Sequence, residues 1–214
     1  MDREHGFIMR EGWPFIGTAL ALAAVTGAAG FGVAASVALL LAAFCAWFFR
    51  NPERAIPSAE GAIVSAGDGR VLSVEPVEDP EWLQGPATRI AIFLNVFDVH
   101  VNRTPIAGKV LAVKYEKGTF VNASLDKASE RNERNSVCLE DGEGRRVAFR
   151  QIAGLIARRI VCYLHPGDAV RRGQIMGLIR FGSRVEILVP GDARVVVRKG
   201  DRVRGGSTVV AWFT

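Results

Sequence analysis

The sequence predicts a mainly β protein, a β domain preceded by an N-terminal hydrophobic helical hairpin. Three observations carry this. Residues 15–49 form a stretch of 35 residues without a charged side chain. From Gly61 onward, apolar and β-branched residues alternate in short runs with a period near two, the pattern of strands with one buried face. Turn-forming groups separate these runs: Gly67-Asp68-Gly69, Asp141-Gly142-Glu143-Gly144, Pro166-Gly167-Asp168 and Pro190-Gly191-Asp192.

A single helix over the uncharged stretch would be about 52 Å long at 1.5 Å per residue, against a bilayer hydrocarbon core of roughly 30 Å. It must break or tilt strongly. Gly27, Gly30 and Gly32 supply the break, giving a shorter arm over 15–26 and a longer one over 33–49. A tight helical hairpin, a re-entrant loop, and one span with an interfacial helix all fit this pattern. Ala, Gly, Ser and Thr recur in both arms and allow close helix approach. Asp2, Glu4 and Glu11 spoil the basic start of a signal peptide. Arg10 before the stretch, with Arg50 and Arg54 after it, predicts a cytoplasmic face at the inner membrane. Trp13 and Trp47 suit the interface. Pro52 ends the segment, so residues 1–54 form the tail, hairpin and juxtamembrane piece, and residues 55–214 the β domain.

In that domain strands are expected over 62–64, 70–75, 89–95, 109–115, 136–139, 146–152, 158–163, 175–181, 184–189, 193–197 and 208–213. A weak repeat refines the architecture. Gly167-Asp168-Ala169-Val170-Arg171-Arg172-Gly173 and Gly200-Asp201-Arg202-Val203-Arg204-Gly205-Gly206 share a Gly-Asp-x-Val-x-x-Gly frame, each followed by an apolar strand. The frame resembles the turn of biotinyl and lipoyl carrier domains, which implies a barrel-sandwich-hybrid-like fold. Carriers present a modifiable Lys at a hairpin tip between hydrophobic residues. Lys199 sits in a basic, Gly-rich context instead, so the resemblance is one of fold and not of carrier function.

The net charge is +5, and residues 50–214 hold 25 of the 27 basic side chains and 19 of the 22 acidic ones, a balance of +6. A basic domain tethered to a bilayer is drawn to anionic headgroups. With 8% aromatic residues and no nucleic-acid-binding motif, nucleic acid is not expected as a partner. Cys45, Cys138 and Cys162 are odd in number and lack metal-ligand spacing, which predicts free thiols and no metal site.

The chemistry concentrates at Phe181-Gly182-Ser183-Arg184-Val185, a Gly-Ser bond between two apolar runs. Alone, Gly182 reads as a strand bend or bulge. His100 closes the run Phe93-Leu94-Asn95-Val96-Phe97-Asp98-Val99-His100, where a satisfied structural histidine is the ordinary reading. Asp68 lies between two turn glycines and reads first as a turn-former. His5 lies in a polar tail, and His165 precedes Pro166 at a turn.

Five pieces in order change this: Phe48-Phe49-Arg50-Asn51-Pro52-Glu53-Arg54, Ser65-Ala66-Gly67-Asp68-Gly69, Asn95 through Arg103, Asn122-Ala123-Ser124-Leu125-Asp126-Lys127-Ala128 with Asn132-Glu133-Arg134-Asn135, and the Gly182-Ser183 site. Together they resemble the short bacterial class of phosphatidylserine decarboxylases. The resemblance implies a proenzyme that cuts itself at Gly182-Ser183 into a β chain, 1–182, and an α chain, 183–214, whose first residue becomes a covalent pyruvoyl group. That group would form a Schiff base with phosphatidylserine and yield phosphatidylethanolamine.

It further implies an Asp68–His100–Ser183 triad, in which His100 takes the Ser183 proton and Asp68 orients His100. Longer members carry a second His three residues before the triad His; here that position is Phe97, so the donor of the final proton is left open. The run from Asn122 to Asn135 is either an exposed loop or a lining of the site. The two Arg of the juxtamembrane piece either stop the helix at the headgroups or draw anionic lipid to the site. A related serine phospholipid as substrate and a non-enzymatic membrane-anchored adaptor are the competing functions, and oligomeric state is left open.

Overall fold

The computed structural model describes residues 6–119, 132–154, 159–180 and 183–214. Two compact units are present, Met1–Glu53 and Arg54–Thr214.

In the first unit a short 3-10 turn, Arg10–Gly12, leads into α1, Trp13–Ala28, with Pro14 in its first turn. There its missing N–H costs nothing. The second helix, α2, spans Gly32–Phe48. The two are joined by a Schellman turn: Gly30 has φ +82°, Phe31 N–H donates to Thr26 O at 2.9 Å and Gly30 N–H to Gly27 O at 3.0 Å. Of the three glycines expected to break the stretch, Gly30 takes the left-handed conformation, while Gly27 stays helical and Gly32 opens α2. Small residues, Ala19, Ala23, Ala38 and Ala42, fill the buried seam, and Leu20, Leu22, Val33, Leu39, Leu40 and Leu41 are exposed. The tail clips the pair at its base, with Met9 N–H donating to Phe49 O at 2.9 Å and Asn51 N–H to Phe7 O at 2.7 Å. Among the described residues no helix is long and apolar enough to cross a membrane.

The named strands of the second unit all pair antiparallel. In chain order the described strands are β1 Ala62–Val64, β2 Gly69–Asp79, β3 Gly85–Leu94, β4 Val101–Arg103, β5 Gly108–Glu116, β6 Arg134–Glu140, β7 Arg146–Ala153, β8 Ile160–Cys162, β9 Ala169–Val170, β10 Ile175–Ile179, β11 Ser183–Pro190, β12 Arg194–Val195, β13 Arg202–Val203 and β14 Val209–Trp212. They form a curled eight-stranded sheet in the order β13-β2-β3-β11-β7-β6-β5-β9, and two three-stranded sheets, β1-β14-β12 and β4-β10-β8. The mainly β architecture with an N-terminal helical pair is the one expected. The short strands β4, β9 and β13 were not, because two or three residues carry no alternation to read.

The strand order holds a relationship stronger than the seven-residue repeat suggested. The pairings of β1, β2, β3, β11, β12, β13 and β14 are reproduced in the same order by β4, β5, β6, β7, β8, β9 and β10. Gly167 and Gly200 both have φ +96°, and Gly173 and Gly206 have φ +74° and +77°. Asp168 and Asp201 each accept from the backbone N–H three residues earlier, at 2.8 and 2.9 Å. The second set of seven strands is thus inserted between β3 and β11 of the first. Its own equivalent junction, between β6 and β7, is a tight turn in which Asp141 Oδ1 accepts from Glu143 and Arg145 N–H, each at 2.9 Å. The β3–β11 junction carries the inserted set in place of such a turn, and Ser183 is the first residue of β11.

The main core lies on one face of the large sheet and includes Ile90, Ile92, Leu94, Val137, Leu139, Phe149, Val185, Ile187 and Val210. A smaller cluster of Trp82, Cys138, Ala148 and Leu188 covers part of the other face. Both faces of β11 are therefore buried, Ser183, Val185 and Ile187 on one side, Arg184, Glu186 and Leu188 on the other.

Candidate active site around Ser183

Ser183 sits in the middle of the large sheet, paired with Leu94 of β3 and Ala153 of β7. Strand alternation puts its side chain on the face of Val185 and Ile187, the core face. It is fully buried, and among the described residues Oγ has no hydrogen-bond partner. A buried hydroxyl in that state costs roughly 1–3 kcal/mol. Phe181 and Gly182, the residues before it, lie outside the described residues.

His100 is buried, with its carbonyl receiving Ile179 N–H at 3.4 Å and its Nδ1 3.0 Å from Asp98 O. The backbone that delivers it is an Asx-type turn: Asp98 Oδ2 accepts Asn95 N–H at 2.9 Å and Asn95 Oδ1 accepts Phe97 N–H at 2.8 Å. Phe97, where a second His was sought, is 67% exposed on that turn.

Asp68 stands immediately before β2. Its carboxylate takes Arg54 Nη2 on both oxygens, at 3.0 and 2.8 Å, and Gly205 N–H on Oδ1 at 2.8 Å. Among the described residues these are its hydrogen-bond partners, and His100 is not one of them. A buried carboxylate prefers a guanidinium to a neutral ring. Burial pushes the Asp68 carboxyl above its usual range, Arg54 and the Gly205 N–H pull it back, and the Asp98 charge adds a further upward push.

The glycines around Asp68 are dictated by close approach. A Cβ on Gly69 would overlap the Phe93 carbonyl, and one on Gly205 would stand 3.1 Å from Gly67 Cα. The turn reading of Gly67-Asp68-Gly69 was right in kind, but the reason is sheet closure around the carboxylate.

Sequence reasoning missed a buried polar group on the same core face. Asn135 Nδ2 donates to Gln151 Oε1 at 3.1 Å, and Gln151 Nε2 donates to Asn102 Oδ1 at 2.9 Å. Gln151 and Asn135 are in register with Val185, the next core-facing position after Ser183. Asn132 Nδ2 donates to the carbonyl of Ala153, the strand neighbour of Ser183, at 2.7 Å. The described end of the polar run, Asn132 to Asn135, thus borders the site; residues 122–131 of that run lie outside the described residues. A signal was available, since Gln151 and Asn135 interrupt the apolar phase of strands otherwise buried on that face.

Arg54, read in part as a lipid-facing cation, has a side chain only 10% exposed and engages Asp68. His165 takes the turn role expected of it: its N–H donates to Asp168 Oδ2 at 2.8 Å. His5 lies outside the described residues.

A buried serine at a strand start, a buried histidine after an Asx-type turn and a carboxylate held by a guanidinium make up the candidate site on this β scaffold. A family model described as phosphatidylserine decarboxylase matches residues 41–211. Proteins named phosphatidylserine decarboxylase proenzyme are similar over nearly the whole chain. The one from Aromatoleum aromaticum is 50% identical over 97% of this chain and 96% of its own. That from Magnetococcus marinus is 45% identical, with 96% and 94% covered, and that from Burkholderia pseudomallei 47%, with 99% and 97% covered. The chain belongs to the phosphatidylserine decarboxylase family.

Proposed function

We propose that this protein decarboxylates phosphatidylserine to phosphatidylethanolamine, using a pyruvoyl group that it makes from Ser183 by cutting the Gly182–Ser183 bond. The observation that carries the reading is the Ser183 hydroxyl, buried and unpartnered at the first residue of β11. The residues fit the group: the hydroxyl is not committed to any structural hydrogen bond, and the strand it opens is held on both sides.

In this reading His100 accepts the Ser183 proton as Oγ attacks the preceding carbonyl carbon. The carbon–nitrogen bond breaks, the amine leaves with a proton, and the acyl chain is transferred to Oγ as an ester. Loss of the Ser183 Cα proton then expels that chain as a carboxylate ending at Gly182. The dehydroalanine left behind takes up water and releases ammonia, giving the keto group. Such a group accepts the amine of the substrate and delocalises the electron pair left when CO2 departs. Asp68, whose carboxyl Arg54 pulls down against the upward push of burial, stabilises the charged His100 during the attack.

The fold supports retention of both products. Residues 183–214 hold β11 to β14, and β11 pairs with β3 and β7, β13 with β2, and β14 with β1. A cut before Ser183 severs one peptide bond and none of these ladders.

The helical pair is the proposed bilayer contact, on the cytoplasmic face of the inner membrane. Its helices of 16 and 17 residues are about 24 and 26 Å long, with leucines outward. That favours a hairpin entering and leaving on one face, beside anionic lipid. Intact-protein mass spectrometry under denaturing conditions tests the whole reading: two species split after residue 182, the smaller lacking an amine and carrying the mass of pyruvoyl for Ser, are expected. One unbroken species from a preparation that releases CO2 from phosphatidylserine overturns it.

A further inference from the structure

Asn102 is fully buried, and among the described residues its Nδ2 has no hydrogen-bond acceptor. An amide in that position could turn over to satisfy itself, but this one is held. Gln151 Nε2 donates to the Val161 carbonyl at 3.3 Å, and a carbonyl can only accept. That fixes which end of the Gln151 amide faces which way, and Gln151 Oε1 accordingly accepts from Asn135 Nδ2 at 3.1 Å. The same Gln151 Nε2 donates to Asn102 Oδ1 at 2.9 Å. Asn102 therefore keeps its oxygen toward Gln151 and its N–H donors on the opposite side.

That opposite side is the Ser183 neighbourhood. A Cβ built on Gly67 would stand 3.3 Å from Asn102 Nδ2, 3.4 Å from Leu94 Cδ2 and 3.5 Å from Val185 Cγ2. Leu94 is the strand partner of Ser183, and Val185 is the next residue of β11 on the same face. The absence of a side chain at Gly67 is what leaves this space. His100 belongs to the same strip, since Ile179 N–H donates to His100 O and continues the β4–β10 ladder, so the two-residue spacing sets His100 and Asn102 on one side of the chain. Two buried polar atoms without partners thus share one small region, an oxygen nucleophile on Ser183 and a pre-aimed N–H donor on Asn102.

The geometry points to Asn102 as the donor that stabilises the oxygen turning anionic when Ser183 Oγ attacks the carbonyl before it, with Gln151 as the positioning residue that aims it. The inference rests on the self-cleavage reading above. When Oγ bonds to that carbonyl carbon, the electron pair of the C=O bond moves onto oxygen, the Ser183 proton passes to His100, and Asn102 Nδ2–H donates to the oxyanion. The oxyanion then collapses as the carbon–nitrogen bond breaks. A donor fixed before reaction needs no reorganisation at the moment charge appears. The orphan donor, a cost in the resting precursor, is satisfied only in the transition state.

The test is the rate at which full-length precursor converts to its two fragments, followed by gel after pulse synthesis, for the wild type, Asn102→Leu, Asn102→Asp and Gln151→Glu. Removing one oxyanion donor is expected to slow conversion roughly 10²- to 10³-fold in either Asn102 variant, and Gln151→Glu, which no longer donates to Asn102 Oδ1, about 10-fold or more. Thermal melting identifies which variants fold. In Asn102→Leu, which adds no titratable group, the pH midpoints of cleavage are expected to stay where they are in the wild type while the rate falls; a variant that merely disturbs His100 moves them. Conversion at the wild-type rate in either folded Asn102 variant overturns the role of Asn102 while leaving self-cleavage intact, and in folded Gln151→Glu it overturns the positioning role of Gln151. A wild-type precursor that never converts overturns both.

Discussion

Arg54 Nη2 lies 2.8 Å from Asp68 Oδ2 and 3.0 Å from Oδ1, with side chains only 10% and 15% exposed. The residue at the head of the β domain is thus locked to the carboxylate of the site. Burial alone would drive Asp68 toward its neutral form, and Arg54 is the largest effect opposing that. Removing the cation leaves the upward push without its main counterweight, so the carboxyl titrates at higher pH. In Arg54→Ala the acid limb of the self-cleavage profile is expected to move to higher pH, while Arg54→Lys, a point charge without the fork, moves it less. Initial rates of fragment appearance across pH 5 to 9 check this. Losing one partner of a buried pair is also expected to cost about 3 kcal/mol of stability, measured by denaturant unfolding.

Ser183→Ala separates function from stability. Because Oγ is buried without a partner, its removal breaks no hydrogen bond. The variant is expected to remain a single uncleaved chain, inactive, and as stable as the uncleaved wild-type precursor or more so by about 1 kcal/mol. A processed variant, or one much less stable, contradicts the assignment of Ser183.

His100→Ala and Asp68→Asn are expected to slow processing strongly, the first by removing the proton acceptor and the second by removing the charge that favours its protonated form. Gel mobility of the precursor against time measures both. Normal cleavage in the two variants would remove the triad from the mechanism.

Gly69→Ala is a structural control. Its methyl would run into the Phe93 carbonyl, on backbone that cannot give way without opening the β2–β3 ladder. A loss of about 3 kcal/mol is expected. Gly142→Ala, with nothing within 4 Å of the new methyl, is expected to be near neutral by thermal melting.

Cys138 is buried between β-strands, and burial pushes its thiol up to about 11. Thiolate is the reactive form, so at pH 7.5 this residue is expected to resist maleimide in the folded protein and react on unfolding. Mass mapping of the Cys138 peptide distinguishes the two. Rapid labelling of folded protein would show that the smaller core cluster around Trp82 and Leu188 does not close over it.

Much of this molecule is local and therefore legible in the chain. The uncharged stretch with Gly30 in it forms a helix pair because a Schellman turn needs a glycine at C′. The alternation in 184–189 makes β11 a strand because its core-facing set, Val185, Ile187 and Val189, must share one face. The resemblance carried by five ordered motifs found the family, and it picked Ser183, His100 and Asp68 out of stretches whose ordinary readings were turn and strand.

What the tertiary structure decided is where those residues stand and what holds them. Arg54 and Asp68 are 14 positions apart and meet because β2 closes against the segment carrying Gly205; composition gives no hint of it. Asn102, Gln151 and Asn135 come from three different strands, and each alone is an unremarkable polar residue. Their hydrogen-bond polarity, set by the Val161 carbonyl, exists only once the strands are paired. The insertion of one seven-stranded set between β3 and β11 of the other is equally non-local. It makes Ser183 the first residue of β11, and it does so through ladders that join residues as far apart as Ala62 and Trp212, beyond the reach of any local pattern.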